Sequence, residues 1–145
     1  MSGNPIPTVL LVEDNEEDVY LLRRALRRES ITCALQTAED GEEAIAYLAG
    51  TGRYADRVTY PVPTLILLDL KLPYVNGFEV LAWIATHHVC KDLRIIILTS
   101  SGEEPDRDKA DQFGIREYFL KPPTRELMAT IDRTLREVAT SVAKR

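Results

Sequence analysis

The segment LILLDLKLP, residues 65–73, decides how the rest of the sequence is interpreted. Its four consecutive apolar residues, Leu65–Leu68, are typical of a strand that is buried on both faces. The run ends directly on Asp69, and an ionised carboxylate is costly to bury unless it has a partner. Asp69 is therefore either a turn residue before Pro73 and Gly77 or a side chain held at a strand end for chemistry.

Apolar runs and helical repeats alternate along the chain on both sides of this segment. Five candidate strands cover residues 9–12, 34–37, 65–68, 95–98 and 118–120. Apolar residues recur at three- and four-residue steps after each strand, which predicts five helices, with a weaker fourth one over 103–113. This alternation predicts an α/β fold, in which a parallel sheet is covered by helices on both faces. Asp40 followed by Glu43 predicts a capping box at the second helix.

The length of 145 residues suits one domain with one sizeable core. We therefore expect a single domain over residues 1–145, with its core at about 8–138 and an ordered surface loop at 50–63. About one helix of sequence follows Leu120, so we expect no output domain. The net charge of −5 also argues against a nucleic-acid partner.

No apolar stretch approaches the ~20 residues that a membrane-spanning helix needs, and residues 1–8 lack the pattern of a signal peptide. We therefore expect a cytoplasmic protein with no membrane partner. Cys33 and Cys90 have no motif spacing, so reduced, free thiols are expected. His87, His88 and Cys90 could form a transition-metal site, but histidines at a helix end also suit the helix dipole.

The carboxyl ends of the predicted strands carry the residues that could do chemistry. In a doubly wound sheet, ligands bind outside these ends, near the point where the strand order switches. The sets of residues delivered there are Glu13-Asp14-Asn15, Asp69, Thr99-Ser100-Ser101 and Lys121-Pro122. Each set alone has an ordinary explanation, namely a helix cap, a turn, a hydroxyl bonded to local backbone and a solvated lysine. Their coincidence at one edge favours a functional cluster.

The chemistry of this cluster is specific. Converging carboxylates repel each other and raise each other's pKa unless a cation lies between them. Ligands that are all oxygen favour a hard ion, and Mg²⁺ is the expected one. An aspartate beside Mg²⁺ can attack a phosphoryl group and become an acyl phosphate, while the metal and a lysine neutralise the transferred oxygens.

On these residues the chain resembles the receiver domain of two-component response regulators. The resemblance runs from Thr8 to about Val138, and its motifs are VLLVEDNEED, LILLDLKLPYVNGFEVL, IIILTSS and YFLKPP. It implies a flavodoxin-like fold of five parallel strands in the order 2-1-3-4-5 with five helices, and often a cis peptide bond at Lys121-Pro122. It also implies a phosphoacceptor signalling protein that takes part in its own phosphorylation and dephosphorylation but is not an enzyme.

The resemblance assigns a role to each residue of the cluster. Asp69 would accept the phosphoryl group, and Lys121 would pair with the phosphate. Thr99 would be the switch hydroxyl, and Tyr118 the aromatic residue that moves from exposed to buried when Thr99 is drawn inward. The implied Mg²⁺ ligands are Glu13, Asp14, Asp69 and the backbone carbonyl of Lys71.

Two residues depart from the family pattern. Pro123 follows Pro122, where many members have an apolar residue, which can alter the entry to the last helix. Lys71 places a cation two residues beyond Asp69, where its side chain can face the phosphoryl group.

The resemblance also implies partners, of which the first is a sensor histidine kinase. The 50–63 loop, the start DNEEDVYLLRRAL and the lack of an output domain are most similar to single-domain regulators that partner bacterial phytochromes. A downstream phosphotransfer or target protein is implied, as is a homodimer through the fourth helix, fifth strand and fifth helix. The first helix has a basic face, which is either solvated or docks the histidine-containing partner: Arg23, Arg24, Arg27 and Arg28.

Three other functions fit parts of the sequence. A haloacid-dehalogenase-type phosphatase uses a strand-end Asp with Mg²⁺, but it needs a second acid where this chain has Lys71. A flavodoxin-like FMN carrier needs a Ser/Thr/Gly-rich loop after the first strand, where Glu13 and Asp14 would repel a phosphate. A degenerate receiver that acts only as a binding module stays open, although all five key residues are present.

Overall fold

The structure, a computed structural model, describes residues 6–143, with side chains described up to residue 140. Within this part of the chain, the strands are β1 (Thr8–Val12), β2 (Ala34–Ala38), β3 (Leu65–Leu68), β4 (Arg94–Thr99) and β5 (Tyr118–Leu120). The helices are α1 (Glu16–Arg28), α2 (Gly41–Ala49), α3 (Gly77–Ala85), α4 (Glu104–Gln112) and α5 (Arg125–Ala143). Short 3₁₀ turns lie at Gly52–Tyr54 and His88–Cys90. None of the helices in residues 6–143 is long and apolar enough to cross a membrane.

The strands pair in parallel in the order β2-β1-β3-β4-β5, which confirms the predicted fold. Val12 at the end of β1 pairs with Leu68 at the end of β3, and Leu68 pairs with Ile97 in β4. Because parallel strands run in the same direction, the residues that follow these positions meet at one edge of the sheet. We call it the carboxyl edge, and it carries Glu13 and Asp69.

The sheet is covered on both faces, because side chains of β1 and β3 alternate between two apolar layers. Leu10 and Ile66 pack in the layer beneath α2 and α3. Val9 and Leu65 pack in the opposite layer, beneath α1 and α5. Full burial of such a side chain is worth ~1.5–3 kcal/mol. Packing on both faces therefore fixes the positions of the strands, and with them the residues at the carboxyl edge.

Residues 50–63 form an ordered loop, as predicted, and the loop is held against α2. The rings of Tyr47, Tyr54 and Tyr60 lie 5.0–5.9 Å apart, and Tyr54 is buried. Arg57 donates hydrogen bonds to the carbonyls of Tyr47, Leu48 and Tyr60. Two of these carbonyls belong to the last turn of α2, which needs partners from outside the helix. Tyr54 and Arg57 thus anchor this surface loop to α2, and the loop is not a loose connection.

The start of α2 forms only half of the predicted capping box. Asp40 Oδ1 accepts the Glu43 N–H at 2.7 Å. The Glu43 carboxylate, however, accepts the N–H of Glu39 at 3.1 Å, not that of Asp40. A complete capping box forms instead at α3, where Asn76 and Glu79 cap each other's backbone.

Candidate functional site

The carboxyl edge gathers the predicted residues around the Asp69 carboxylate. Glu13 follows β1, Asp69 follows β3, Thr99 ends β4 and Lys121 follows β5. Glu13 and Asp69 are each 4% exposed, and Thr99 is fully buried. Buried groups of this polarity need partners, and the partners found here are largely one another.

The acidic residues converge closely enough to hold a metal ion. Oxygen atoms of Glu13, Asp14 and Asp69 lie within 4.8 Å of one another, and Asp14 is exposed to solvent. Burial is the main cause that raises the pKa of Glu13, although Lys121 partly opposes it. Three carboxylates with one open side are the donor set of a divalent cation such as Mg²⁺. We call Glu13, Asp14 and Asp69 the acid cluster, and its chemistry fits the expected metal.

The backbone of Lys71, the remaining implied ligand, belongs to the loop directly after Asp69. Its N–H donates to Asp69 Oδ1 at 3.1 Å, which holds this loop against the carboxylate. The Lys121-Pro122 peptide bond on the other side of the site is cis, in agreement with what the resemblance implies.

The Lys121 ammonium lies among three carboxylates of the described chain. Its Nζ is 2.6 Å from Glu13 Oε1, 2.8 Å from Asp69 Oδ2 and 2.9 Å from Asp18 Oδ2. Burial opposes the charge of Lys121, but the hydrogen bonds to Asp69, Glu13 and Asp18 outweigh it and raise the pKa of the ammonium. These contacts therefore favour the charged form of Lys121 beside Asp69.

Thr99 is already bonded to the candidate phosphoacceptor. Its hydroxyl donates to Asp69 Oδ1 at 2.7 Å, and it accepts a longer bond of 3.4 Å from the Ser101 N–H. The Asp69 carboxylate is thus held on Oδ1 by Thr99 and the Lys71 N–H, and on Oδ2 by Lys121.

Tyr118 lies next to this set and is linked to it through Ser101. Its hydroxyl donates to the Ser101 carbonyl at 2.6 Å, and the Arg107 guanidinium lies 4.7 Å from the centre of its ring. The Tyr118 side chain is half-buried, and its role as the switch aromatic stays a prediction. The single residue Ser101 contacts both Thr99 and Tyr118.

The side chain of Lys71 points to α4. Its Nζ lies 3.2 Å from Asp106 Oδ2, and the Lys71 side chain is 58% exposed. Asp106 Oδ2 also accepts the Ser101 hydroxyl at 2.5 Å. The Lys71 ammonium, which could instead face a phosphoryl group on Asp69, is therefore paired with an acid of α4.

A glycine lets α3 begin directly against the site. A Cβ atom added to Gly77 would lie 2.4 Å from the backbone oxygen of Asp69 and 2.7 Å from Leu70 Cα. Both neighbours are backbone atoms and cannot swing away, so only glycine fits here. This close approach fixes the loop that carries Lys71.

Two residues of the site were missed by the sequence reasoning, Asp18 and Asp106. Asp18 lies three residues after Asn15, which caps α1, so the period of the helix places it in the first turn beside the carboxyl edge. That spacing was a usable signal. Asp106 has no such signal, because its contact with Lys71 depends on the path of the loop before α4.

The histidines at the end of α3 form no metal site. The His87 ring stacks on Trp83 with centroids 3.7 Å apart, and its Nδ1 lies 2.6 Å from the Trp83 carbonyl oxygen. Among the side chains described, the acid cluster is the one group of three or more His, Cys, Asp and Glu residues with a metal-binding arrangement.

This chain is similar in sequence and fold to solved structures of response regulators. The structure of the bacteriophytochrome response regulator AtBRR superposes with a TM-score of 0.80 at 34% identity, over 91% of this chain and 94% of AtBRR. The phosphorylated cyanobacterial phytochrome response regulator RcpA gives a TM-score of 0.76 at 33% identity, over 88% of this chain and 90% of RcpA.

A relative known from sequence and structure is the response regulator Rcp1 of Synechocystis sp. It is 36% identical over 119 residues, which cover 82% of this chain and 79% of Rcp1. The Mn²⁺-bound form of Rcp1 superposes with a TM-score of 0.74 over 87% of this chain and 89% of Rcp1. The sequence also matches the family described as the response regulator receiver domain over residues 9–132. The chain therefore belongs to the response regulator receiver domain family, whose members are signalling proteins of two-component systems.

Proposed function

We propose that Asp69 accepts a phosphoryl group from a sensor histidine kinase in a Mg²⁺-dependent step. The observation that carries this proposal is the buried Asp69 carboxylate, with the Thr99 hydroxyl at 2.7 Å and the Lys121 ammonium at 2.8 Å. A hydroxyl and a cation placed beforehand around one carboxylate can stabilise charge on a group that this carboxylate receives. With the family shown, the phosphatase and FMN-carrier alternatives lose their support.

The transfer makes one bond and breaks one. An oxygen of Asp69 bonds to phosphorus as the bond from phosphorus to the kinase histidine nitrogen breaks, so the imidazole is the leaving group. Lys121 neutralises charge on the transferred oxygens, and Thr99 donates a hydrogen bond to one of them. Mg²⁺, when bound, adds positive charge for these oxygens. The groups that would hold it are the side chains of Glu13, Asp14 and Asp69 and the backbone carbonyl of Lys71.

Thr99 and Tyr118 then turn phosphorylation into a change of surface. The phosphoryl group adds a charge of about −1.5 to −2 and three acceptor oxygens. Thr99 must turn from Asp69 Oδ1 to a phosphoryl oxygen, which disturbs the bond that it accepts from Ser101. The Ser101 carbonyl holds the Tyr118 hydroxyl, so a shift of this residue reaches the ring on β5. The surface that partners contact changes as a result.

The surface of α1 supports docking of the kinase. Its four arginines, 23, 24, 27 and 28, are exposed on the side of the helix opposite to the buried Leu22, Ala25 and Leu26. A cleft of about 240 Å³ separates this helix from Pro122 and Pro123, the residues after Lys121. A basic helix beside the site steers an acidic partner toward it. Bacterial phytochromes are the proposed kinases, because AtBRR is described as a bacteriophytochrome response regulator and RcpA as a phytochrome response regulator.

A homodimer through α4, β5 and α5 is part of the proposal. Leu120 of β5 and Phe113 after α4 are large apolar side chains that stay exposed in the described chain. Arg133 of α5 and Glu117 before β5 form an exposed ion pair on the same face. Exposed apolar residues rimmed by charges suit a modest protein interface.

The receiver domain then acts by contact on a phosphotransfer or target protein. It is proposed to be a regulator that carries a phosphoryl group rather than an enzyme that turns over a substrate. Its cytoplasmic location and its lack of affinity for nucleic acid stay predictions.

The test uses phosphotransfer itself. The protein is incubated with a phosphorylated bacterial phytochrome kinase or with acetyl phosphate, in Mg²⁺ and in EDTA. Uptake in Mg²⁺ that is lost in EDTA and in Asp69→Asn, but kept in the charge-matched Asp108→Asn on exposed α4, supports the proposal. A wild-type protein that takes up no phosphoryl group from any donor would instead be a degenerate receiver.

A further inference from the structure

Asp18 is the third carboxylate that contacts Lys121, and it lies in α1, outside the acid cluster. A lysine ammonium has three N–H groups, and Lys121 directs them to Glu13, Asp69 and Asp18. Glu13 and Asp69 are also two of the three acids that would hold a cation. Asp18 lies in the first turn of α1 and is shared with no other cation among the contacts described.

Asp18 is held in place by a closed ring of contacts. The Asn15 side chain caps α1 by accepting the N–H of Glu17 at 2.9 Å and of Asp18 at 3.1 Å. The Asn15 N–H donates to Glu13 Oε2 at 3.1 Å, and Glu13 Oε1 meets Lys121. The ring therefore runs through Glu13, Asn15, Asp18 and Lys121. The position of Asp18 relative to the acid cluster is fixed by backbone as well as by side chains.

Two cations must share the carboxylates of this site. Without metal, Lys121 neutralises Glu13 and Asp69, which are otherwise two buried anions close together. When the acid cluster holds a divalent cation, the same oxygens face a second positive charge, and the ammonium must give up part of its contact with them. Lys121 still has to stay beside Asp69 to meet the phosphoryl group. A carboxylate outside the cluster is needed to keep it there, and Asp18 is that carboxylate.

We propose that Asp18 is a positioning residue, which holds the Lys121 ammonium beside Asp69 while the acid cluster binds its cation. This inference rests on the function proposed above. Without Asp18, Lys121 depends on Glu13 and Asp69 alone and competes with the cation for them. The affinity for the metal falls, and phosphoryl uptake requires a higher Mg²⁺ concentration.

The first test measures metal affinity without any phosphoryl donor. Mg²⁺ binding by calorimetry, or Mn²⁺ binding by electron paramagnetic resonance, is compared in wild type, Asp18→Asn and Glu17→Gln. Glu17 is an exposed acid in the same turn, so its variant removes the same charge without touching Lys121. Asp18→Asn is expected to weaken binding about tenfold, the size of one charge-assisted hydrogen bond. Glu17→Gln is expected to weaken it less than about twofold, because exposed charges are screened.

The second test asks whether the effect passes through Lys121. Lys121→Met alone should tighten metal binding, because it removes the competing cation. In the Lys121→Met background, Asp18→Asn should lower the affinity no more than Glu17→Gln does. Asp18→Glu, which restores a carboxylate, should recover part of the loss. Circular dichroism of each variant confirms that it folds.

Three results would overturn the inference. The first is an Asp18→Asn affinity equal to that of wild type or of Glu17→Gln, and the second is a tenfold loss that persists without Lys121. The third is phosphoryl uptake by Asp18→Asn that depends on the Mg²⁺ concentration in the same way as uptake by wild type. Failure of the proposed function would give a different result. Wild type would take up no phosphoryl group, but it would still bind metal, and Asp18→Asn would still bind metal more weakly.

Discussion

Thr99 Oγ1 donates a hydrogen bond of 2.7 Å to Asp69 Oδ1. The hydroxyl that would sense phosphorylation is thus already directed at the phosphoacceptor, and both groups are buried. If Asp69 is phosphorylated as proposed, Thr99 would exchange the acceptor of an existing hydrogen bond and would not have to move in from a distance.

Thr99→Ala should uncouple phosphorylation from partner binding. Asp69 keeps Lys121 and the Lys71 N–H, so the variant should still be phosphorylated. The link to Ser101 and Tyr118 is lost, and a hydrogen bond to a charged group is worth ~1.5–3 kcal/mol. Most of the phosphorylation-dependent gain in partner affinity should disappear, whereas Thr99→Ser should retain it. Labelling and partner affinity are measured separately, and a full gain in the Ala variant would sink this role for Thr99.

Asp106→Asn should lengthen the lifetime of the acyl phosphate. The Lys71 ammonium, 3.2 Å from Asp106 Oδ2, would be free to turn toward the phosphoryl group. An ion pair with one solvent-exposed partner is worth on the order of 1 kcal/mol, so a change of up to about fivefold is expected. The decay of labelled protein is followed over time. The effect should vanish in the Lys71→Ala background and be absent in Asp108→Asn; an effect that survives removal of Lys71 has another cause.

Glu13→Gln should stabilise the metal-free protein at neutral pH. Burial raises the pKa of Glu13 above its ordinary value of 4.5, so the folded state binds this proton more tightly than the unfolded state does. The free energy of unfolding therefore falls as the pH rises from 4.5 through the raised pKa. The Gln variant lacks this fall and keeps an oxygen for the Asn15 N–H.

Urea unfolding in EDTA across a pH series checks the prediction for Glu13. The advantage of the Gln variant should grow as the pH rises above 4.5 and disappear below it. A wild-type protein that gains stability over the Gln variant with rising pH would show that the pairing of Glu13 with Lys121 outweighs its burial.

Gly77→Ala should disturb the site through the backbone. The added Cβ would lie 2.4 Å from the Asp69 oxygen, and overpacking of this kind costs ~1–3 kcal/mol. Phosphoryl uptake should fall together with the free energy of unfolding. Gly102→Ala is the control, because its Cβ would meet only the Leu120 side chain at 3.5 Å or more. Equal phosphoryl uptake and equal free energies of unfolding in the two variants would mean that the loop after Asp69 can shift to accommodate the Cβ atom.

The arrangement of strand ends could be predicted because it follows from few rules. Apolar runs mark parallel strands, and residues after Val12 and Leu68 then lie at one edge of the sheet. Asp69, Glu13 and Lys121 meet there as expected. Alignment of the parallel strands is enough to bring these residues together, so the prediction needs no knowledge of side-chain packing.

Contacts between elements could not be predicted in the same way. The pairing of Lys71 with Asp106 depends on how the loop before α4 runs, and sequence spacing carries no signal for it. The capping box at α2 stays incomplete because the Glu43 carboxylate accepts the N–H of Glu39 and not that of Asp40. Arg57 anchors the 50–63 loop by bonding carbonyls nine and ten residues away, which no periodic pattern reports.

The central claim is that Asp69 carries the phosphoryl group, and mapping the modified residue tests it most directly. The protein is phosphorylated in Mg²⁺, the acyl phosphate is reduced with borohydride, and the peptides are identified by mass spectrometry. Reduction turns a phosphorylated aspartate into homoserine, so this account predicts homoserine at position 69 and at no other acid. Homoserine at Asp14 or Asp18, the corresponding five-carbon hydroxy amino acid at Glu13, or a label that persists in Asp69→Asn would contradict it.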